Sequence, residues 1–259
     1  MKSIPFLVGH RGASHKAPEN TLPSYRLAFK EGADRIEGDF WLTCDEKIVC
    51  LHDQTTARTA PHQPAIDVLT SNLHDLEKYD VGLWKAEEYK NTRIPTLDQI
   101  LAELPPEMTI YVEIKQDDPR ILTAMFKAAE KSNVDLKWLT LISFSEDIVK
   151  HAKQLAPELT VYLLHALKHQ ENDGPANTCL ENIIERAISI GADGLDLGNS
   201  PLITQWFVDK IKMAGLEFHV WTVNSAEEAL RYIELGIDSI TTDRPQGLRE
   251  EITALLDRF

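Results

Sequence analysis

The sequence predicts an α/β fold, a (β/α)8 barrel of the TIM type, on three observations. Short apolar runs alternate with helical patterns from one end of the chain to the other. Eight such alternations fit into 259 residues, and barrels of this kind take about 250 residues as one unit. Three helical stops also look alike: Glu31-Gly32-Ala33-Asp34, Ile190-Gly191-Ala192-Asp193 and Leu235-Gly236-Ile237-Asp238. In each, a glycine suited to a left-handed C-cap precedes an apolar strand, as when a helix turns back into the next parallel strand. A doubly wound open sheet is the alternative. That fold usually opens with a Gly-rich phosphate turn, and Gly9-His10-Arg11-Gly12 does not have that form.

In chain order, strands are expected at 6–9, 35–42 together with 48–51, 109–115, 139–144, 160–164, 194–197, 217–223 and 239–242. Taking 35–42 and 48–51 as one bent or bulged strand makes eight. Helices are expected at 21–31, 97–103, 120–131, 146–155, 179–190, 200–214, 226–235 and 245–256. Thr96 followed by Gln99 reads as a capping box, and Asn224-Ser225 ahead of Glu227 and Glu228 puts acids in a first helical turn. Residues 54–92 break the rhythm, with Pro61, Pro64, Gly82 and Trp84 and no clear barrel element. Long segments of this sort are usually functional or ordered as a subdomain. The whole chain, 1–259, therefore reads as one domain with a small insertion after the second strand. That insertion either borders the barrel mouth or is a surface excursion without a part in the site.

Charge and composition narrow the function. A formal net charge of −14 repels polyanions and disfavours nucleic-acid binding, although a local cationic site can still take a small anion. No run approaches a membrane span, and the first ten residues turn polar too quickly for a signal peptide. Cys44, Cys50 and Cys179 have no zinc-site spacing. They read as reduced thiols in a cytoplasmic protein.

Barrel chemistry sits at the C-terminal ends of strands, and the polar residues fall there. The first strand ends in His10-Arg11-Gly12, the second holds Glu37-Gly38-Asp39, the following extended piece ends in His52-Asp53, and the third ends in Glu113-Ile114-Lys115. Alternation puts Glu37 and Asp39 on one strand face, and Glu113 with Lys115 on one face of the next. Three acids in one place are costly to bury unless a cation neutralises them. An all-oxygen set suits a hard divalent ion, Mg2+ or Ca2+; salt-bridging by Lys and Arg is the competing explanation. With such an ion, Arg11 and Lys115 leave a formal charge of about +1, suited to a phosphodiester monoanion. Arg11 can grip phosphate through its planar fork, and Lys115 as a point charge. His10 and His52 can supply the base and the acid that phosphodiester cleavage needs. The other seven histidines (15, 62, 74, 151, 165, 169 and 219) read as surface or core, with His219 facing the same way as Trp221. Asp53 either orients a neighbour or caps a turn.

Several motifs of this chain resemble those of the glycerophosphodiester phosphodiesterase family. They are His10-Arg11-Gly12 followed by Pro18-Glu19-Asn20-Thr21, Gly32-Ala33-Asp34-Arg35-Ile36-Glu37-Gly38-Asp39, and Thr43-Cys44-Asp45 leading to His52-Asp53. Further on come Ile94-Pro95-Thr96-Leu97, Glu113-Ile114-Lys115, Trp221-Thr222-Val223-Asn224 and Thr242-Asp243-Arg244-Pro245. The resemblance spans nearly the whole chain in the family's order. It implies the barrel and hydrolysis of small-molecule glycerophosphodiesters, such as glycerophosphocholine and glycerophosphoethanolamine, to glycerol 3-phosphate and an alcohol. It also implies His10 and His52 as the acid/base pair, Glu37, Asp39 and Glu113 as ligands of one divalent cation, and Arg11 and Lys115 as phosphate contacts. Trp221 would wall the glycerol or alcohol moiety; by periodicity alone it reads equally as a core aromatic. Glu19 and Asn20 either brace the first loop or only begin a helix with Pro18 and Thr21, and the second reading is preferred. Two rival functions stand beside this one. A lysophospholipase D-like enzyme on the same barrel would need an apolar ramp that the sequence does not show. A catalytically silent binding barrel would not need both histidines.

Overall fold

A computed structural model describes residues 4–167 and 176–257, and for 176–180 the backbone alone. His169 and the Cys179 thiol lie outside the described residues. The strands are β1 (Phe6–Gly9), β2 (Arg35–Leu42), β3 (Ile48–Cys50), β4 (Thr109–Ile114), β5 (Leu139–Ser143), β6 (Thr160–His165), β7 (Gly194–Gly198), β8 (Glu217–Trp221) and β9 (Ser239–Thr242). Their hydrogen-bonded order runs β1-β9-β8-β7-β6-β5-β4-β2, and β1 also pairs with β2, which closes a ring of eight. Every pairing within the ring is parallel. The expected (β/α)8 barrel is thus the fold.

One expected element is corrected. Residues 35–42 and 48–51 are not one bent strand, because β3 runs antiparallel to β2, with Phe40 opposite Cys50 and Leu42 opposite Ile48. The cause is the turn between them. Glu46 takes a left-handed φ of 57°, the Thr43 amide donates to the Lys47 carbonyl at 2.9 Å, and the Thr43 hydroxyl donates to Asp45 at 2.6 Å. The chain reverses there, so β3 is a ninth strand outside the ring.

Helices α1 (Leu22–Lys30), α3 (Leu97–Ala102), α4 (Arg120–Lys131), α5 (Glu146–Leu155), α6 (Ala176–Ser189), α7 (Gln205–Met213), α8 (Ala226–Leu235) and α9 (Pro245–Leu256) separate the strands, while the short α2 (Leu73–Leu76) lies in the insertion. Thr96 and Gln99 form the expected capping box at α3. Gly32, Gly191 and Gly236 all have φ between 73° and 79°, the left-handed C-cap that only glycine enters without steric cost.

The strand period sorts the chain into two faces. Outward residues such as Ile36, Phe40, Val112, Ile114, Leu141, Leu163, Leu197 and Phe218 share one buried cluster with the helix faces. Inward, Val8, Tyr111, Ile142, Tyr162 and Leu164 fill the barrel axis. His219 stacks on Tyr162 with ring centroids 4.1 Å apart, so it is a core residue. A packed interior of this sort leaves the mouth as the place for chemistry. Residues 54–92 pack a second cluster, in which Ala60, Val68, Leu76, Tyr79 and Val81 cover Trp41, Val49 and Leu51. From there Lys85 donates to the Ser14 carbonyl at 2.8 Å, which puts the insertion at the barrel mouth. Among the described residues no helix is long and apolar enough to cross a membrane.

Candidate active site

The acidic cluster follows from register. Glu37 and Asp39 alternate inward on β2, and the parallel pairing sets Asp39 directly beside Glu113 of β4. Ligand oxygens of these three lie within 4.8 Å of one another. Glu37 and Asp39 are 2% and 1% exposed. Burial, together with repulsion from Asp39 and Glu113, pushes the Glu37 carboxyl well above its usual range. Burial and Asp39 raise Glu113 to about 7. Asp39 is also buried, but Arg11 and Lys115 overcome that cost and bring it to about 2. Burial and mutual repulsion thus work against ionisation of Glu37 and Glu113, while Arg11 and Lys115 favour it at Asp39. Glu37 Oε1 is buried with no hydrogen-bond partner. An all-oxygen donor set with an orphaned carboxylate oxygen fits a hard divalent cation.

The loop after β1 holds this cluster in place. The Arg11 amide donates to Glu37 Oε2 at 2.8 Å. Asn20 donates to Asp39 Oδ2 at 2.7 Å and accepts from the Asp39 amide at 3.2 Å and from the Tyr25 hydroxyl at 3.2 Å. Gly38 permits this arrangement, because a Cβ there would collide with the Tyr25 hydroxyl. Glu19 accepts from Arg11 Nη1 at 2.9 Å and from both terminal nitrogens of Arg58 at 2.8 Å. Thr21 accepts from the Ser24 amide as the N-cap of α1. So Thr21 starts the helix as expected, while Glu19 and Asn20 brace the site, contrary to the preferred helix-start reading. Glu19 reaches Arg11 and Arg58, and Asn20 reaches Asp39 of β2 and Tyr25 of α1, partners that the residue types alone do not disclose.

The two cations pair with the acids. Arg11 Nε lies 3.1 Å from Asp39 Oδ2. Lys115 Nζ lies 2.7 Å from Glu113 Oε1 and 3.2 Å from Asp39 Oδ1.

Each histidine is backed by an aspartate. His10 Nδ1 lies 2.7 Å from Asp243 Oδ1, and His52 Nδ1 lies 2.7 Å from Asp53 Oδ1. A carboxylate at Nδ1 fixes the proton there and leaves Nε2 to exchange one. Asp243 also accepts from Ser14 at 3.0 Å and from Asn224 at 2.6 Å. Asp53 accepts from Arg58 Nε at 2.6 Å. Of the two uses open to Asp53, orientation of a neighbour is the one seen. Partial burial lowers the His52 pKa despite attraction from Asp39.

His10, Arg11, Glu37, His52, Glu113, Lys115 and Trp221 line one cavity of about 160 Å3, and Asp39 sits behind it. Trp221 lines this cavity and also packs against the inward cluster of the barrel. Its indole donates to the Asp196 carbonyl at 3.2 Å and meets Phe144 edge-on at 5.8 Å. Sequence reasoning missed Asp243, Asn224, Arg58 and Asp196. Asp243 lies two residues beyond an inward Thr241, so strand period was the available signal for it; Arg58, in an irregular segment, gave none.

Comparison with known proteins matches residues 10–247 to the glycerophosphoryl diester phosphodiesterase family. A glycerophosphodiester phosphodiesterase of Caldanaerobacter subterraneus subsp. tengcongensis is 29% identical, over 96% of this chain and 97% of that protein. One from Bacillus subtilis is 30% identical, over 92% of this chain and 83% of its own. Among solved structures, an Oleispira antarctica phosphodiesterase in complex with the product sn-glycerol-3-phosphate superposes with a TM-score of 0.82 at 26% identity, covering 96% of this chain and 97% of that one. This chain belongs to the glycerophosphoryl diester phosphodiesterase family and is a phosphoric diester hydrolase.

Proposed function

We propose that the protein hydrolyses glycerophosphodiesters such as glycerophosphocholine and glycerophosphoethanolamine in a reaction dependent on a divalent cation, Mg2+ or Ca2+. The observation that carries this reading is the convergence of two aspartate-backed histidines and three carboxylates on one small cavity. The Oleispira relative, bound to sn-glycerol-3-phosphate, supports the substrate class. Glu37, Asp39 and Glu113 would hold the cation, which would supply neutralisation of phosphate charge and polarisation of phosphorus. The whole chain, insertion included, acts as one catalytic domain. The unpaired thiols of Cys44 and Cys50 suit the cytoplasm as its place of action.

Arg11 and Lys115 hold the non-bridging oxygens of the phosphodiester. His10 Nε2 takes the proton from the substrate's glycerol 2-hydroxyl, and that oxygen attacks phosphorus in line. The bond to the alcohol oxygen breaks, and His52 gives that oxygen a proton. Water then opens the cyclic phosphate, with the two histidines exchanging roles. Asp243 and Asp53 hold the rings and stabilise each imidazolium as it forms. Trp221 walls the substrate.

Release of sn-glycerol 3-phosphate from glycerophosphocholine or glycerophosphoethanolamine tests the reaction. No release from either diester would pass the reading to lysophospholipids. A 2-deoxy diester tests the route, since its normal turnover would replace the cyclic intermediate with direct attack by water.

A further inference from the structure

Behind the acidic cluster, Tyr25 of α1 and Cys50 of β3 bring a hydroxyl and a thiol into the apolar layer that packs the helices on the barrel. Both residues are buried, and neither proton transfer nor phosphate binding uses them. For packing alone, apolar side chains of the same size would serve without a polar atom to satisfy. Gly38 makes the room for them. A Cβ there would stand 2.2 Å from the Tyr25 hydroxyl and 3.2 Å from Cys50 Sγ. Gly38 lies between Glu37 and Asp39, so the pair backs the strand at the point where it carries two of the three clustered acids.

The hydrogen bonds of the pair converge on one atom. The Tyr25 hydroxyl lies 3.2 Å from Asn20 Oδ1, Cys50 Sγ lies 3.2 Å from the same oxygen, and the two lie 3.1 Å from each other. Two protons thus serve three contacts. The contact between Tyr25 and Cys50 can hold only one of them, so at least one proton points at Asn20 Oδ1 in any arrangement. With the Asp39 amide, which donates to Oδ1 at 3.2 Å, that fills both lone pairs of the carbonyl oxygen. The Asn20 amide is thereby held one way round, with Nδ2 donating to Asp39 Oδ2 at 2.7 Å. The reverse orientation would set an oxygen against the carboxylate. Arg11 Nε lies 3.1 Å from Oδ2 as well. Asp39 Oδ1, in contrast, has no hydrogen-bond partner, although Lys115 Nζ lies 3.2 Å away. Asn20 also holds a left-handed φ of 58°, a conformation that non-glycine residues seldom take, so its side-chain bonds also keep its backbone in place.

We infer that Tyr25 and Cys50 are positioning residues for the cation: together they hold the Asn20 amide, which occupies Asp39 Oδ2 and leaves Oδ1 to the ion. This rests on the cation-dependent reaction proposed above. Neither residue touches the ion or the substrate; both act through Asn20. The two donors are redundant. Without the hydroxyl the thiol still reaches Oδ1, and without the thiol the hydroxyl does. The loss of one is tolerated, and the loss of both is not.

The test is calorimetric titration of Mg2+ and of Ca2+ into chelator-stripped enzyme without substrate, alongside melting temperatures in EDTA. Tyr25→Phe and Cys50→Ala should each weaken cation binding by about threefold or less. The double variant should weaken it by roughly tenfold or more, the scale of losing an outer support of a metal ligand. Asn20→Gly, which accepts the left-handed φ and removes the amide, should lose at least as much. Tyr25→Phe with Cys50→Ser should recover most of the affinity, because a donor returns. Activity lost by the double variant should return when the cation concentration is raised by the same factor. A double variant that melts lower and binds the ion with wild-type affinity would overturn the inference, since the pair would then serve packing alone. If the double variant does not fold, Asn20→Gly decides, and wild-type affinity there would overturn the inference equally. Wild type that binds neither ion would refute the cation reading itself, and the positioning role with it.

Discussion

The two histidines at the mouth have the same local chemistry and different support. His10 is paired with an aspartate 233 residues away in the chain, and the pair forms because β1 and β9 lie side by side where the barrel closes. Asp243 is then fixed from two more directions by Ser14 and Asn224, and Asn224 accepts from the Thr242 hydroxyl and the Asp243 amide. His52 is paired with its neighbour in sequence. That pair is steadied by Arg58 from the insertion, whose side chain is 43% exposed. The side chain of His10 is 18% exposed and that of His52 is 34%. The barrel itself thus holds the His10 pair, while the insertion steadies the His52–Asp53 pair through Arg58.

The largest test of this comparison removes each ring. His10→Ala and His52→Ala should each lower kcat by roughly 10²- to 10⁴-fold with an unchanged circular dichroism spectrum and melting temperature. Retained activity in either variant would take that residue out of the mechanism. Next, the orienting acids should differ. Asp243→Asn swaps a carboxylate for an amide in a closed network and should cost kcat roughly 10²-fold or more. Asp53→Asn should cost less, because a more exposed ring can reorient toward water. Equal losses would show that the two supports are equivalent. Smaller again, Arg58→Ala should lower kcat by about three- to tenfold, since partly exposed ion pairs contribute only about 0.2–1 kcal/mol each and Arg58 makes several. A full loss there would mean that the insertion does more than steady His52.

The same contrast explains what could be read from the chain. The barrel was legible because each strand carries an apolar run and three helix ends share one glycine stop. The carboxylates, the two histidines and the two cations were legible because strand period and strand ends place them together. β3 was not, because an apolar run such as Ile48–Cys50 looks the same whether it continues a strand or returns beside it, and only the turn over residues 43–47 decides. Nor was the pairing that supports His10, since strand period can place Asp243 near the mouth but cannot name its partner 233 residues away. Asp196 was hidden for a related reason. It sits between Leu195 and Leu197 in a run that reads as a buried strand, and only the closed ring shows that its side chain faces the cavity.

The central claim is that two buried carboxylates, Glu37 and Asp39, and the part-buried Glu113 hold a cation that phosphodiester hydrolysis requires. Its most direct test follows sn-glycerol 3-phosphate release from glycerophosphoethanolamine before and after EDTA, and again after Mg2+ or Ca2+ is added back. The account predicts loss of release with the chelator and recovery with at least one of the two ions. Release that continues undiminished in EDTA would contradict it.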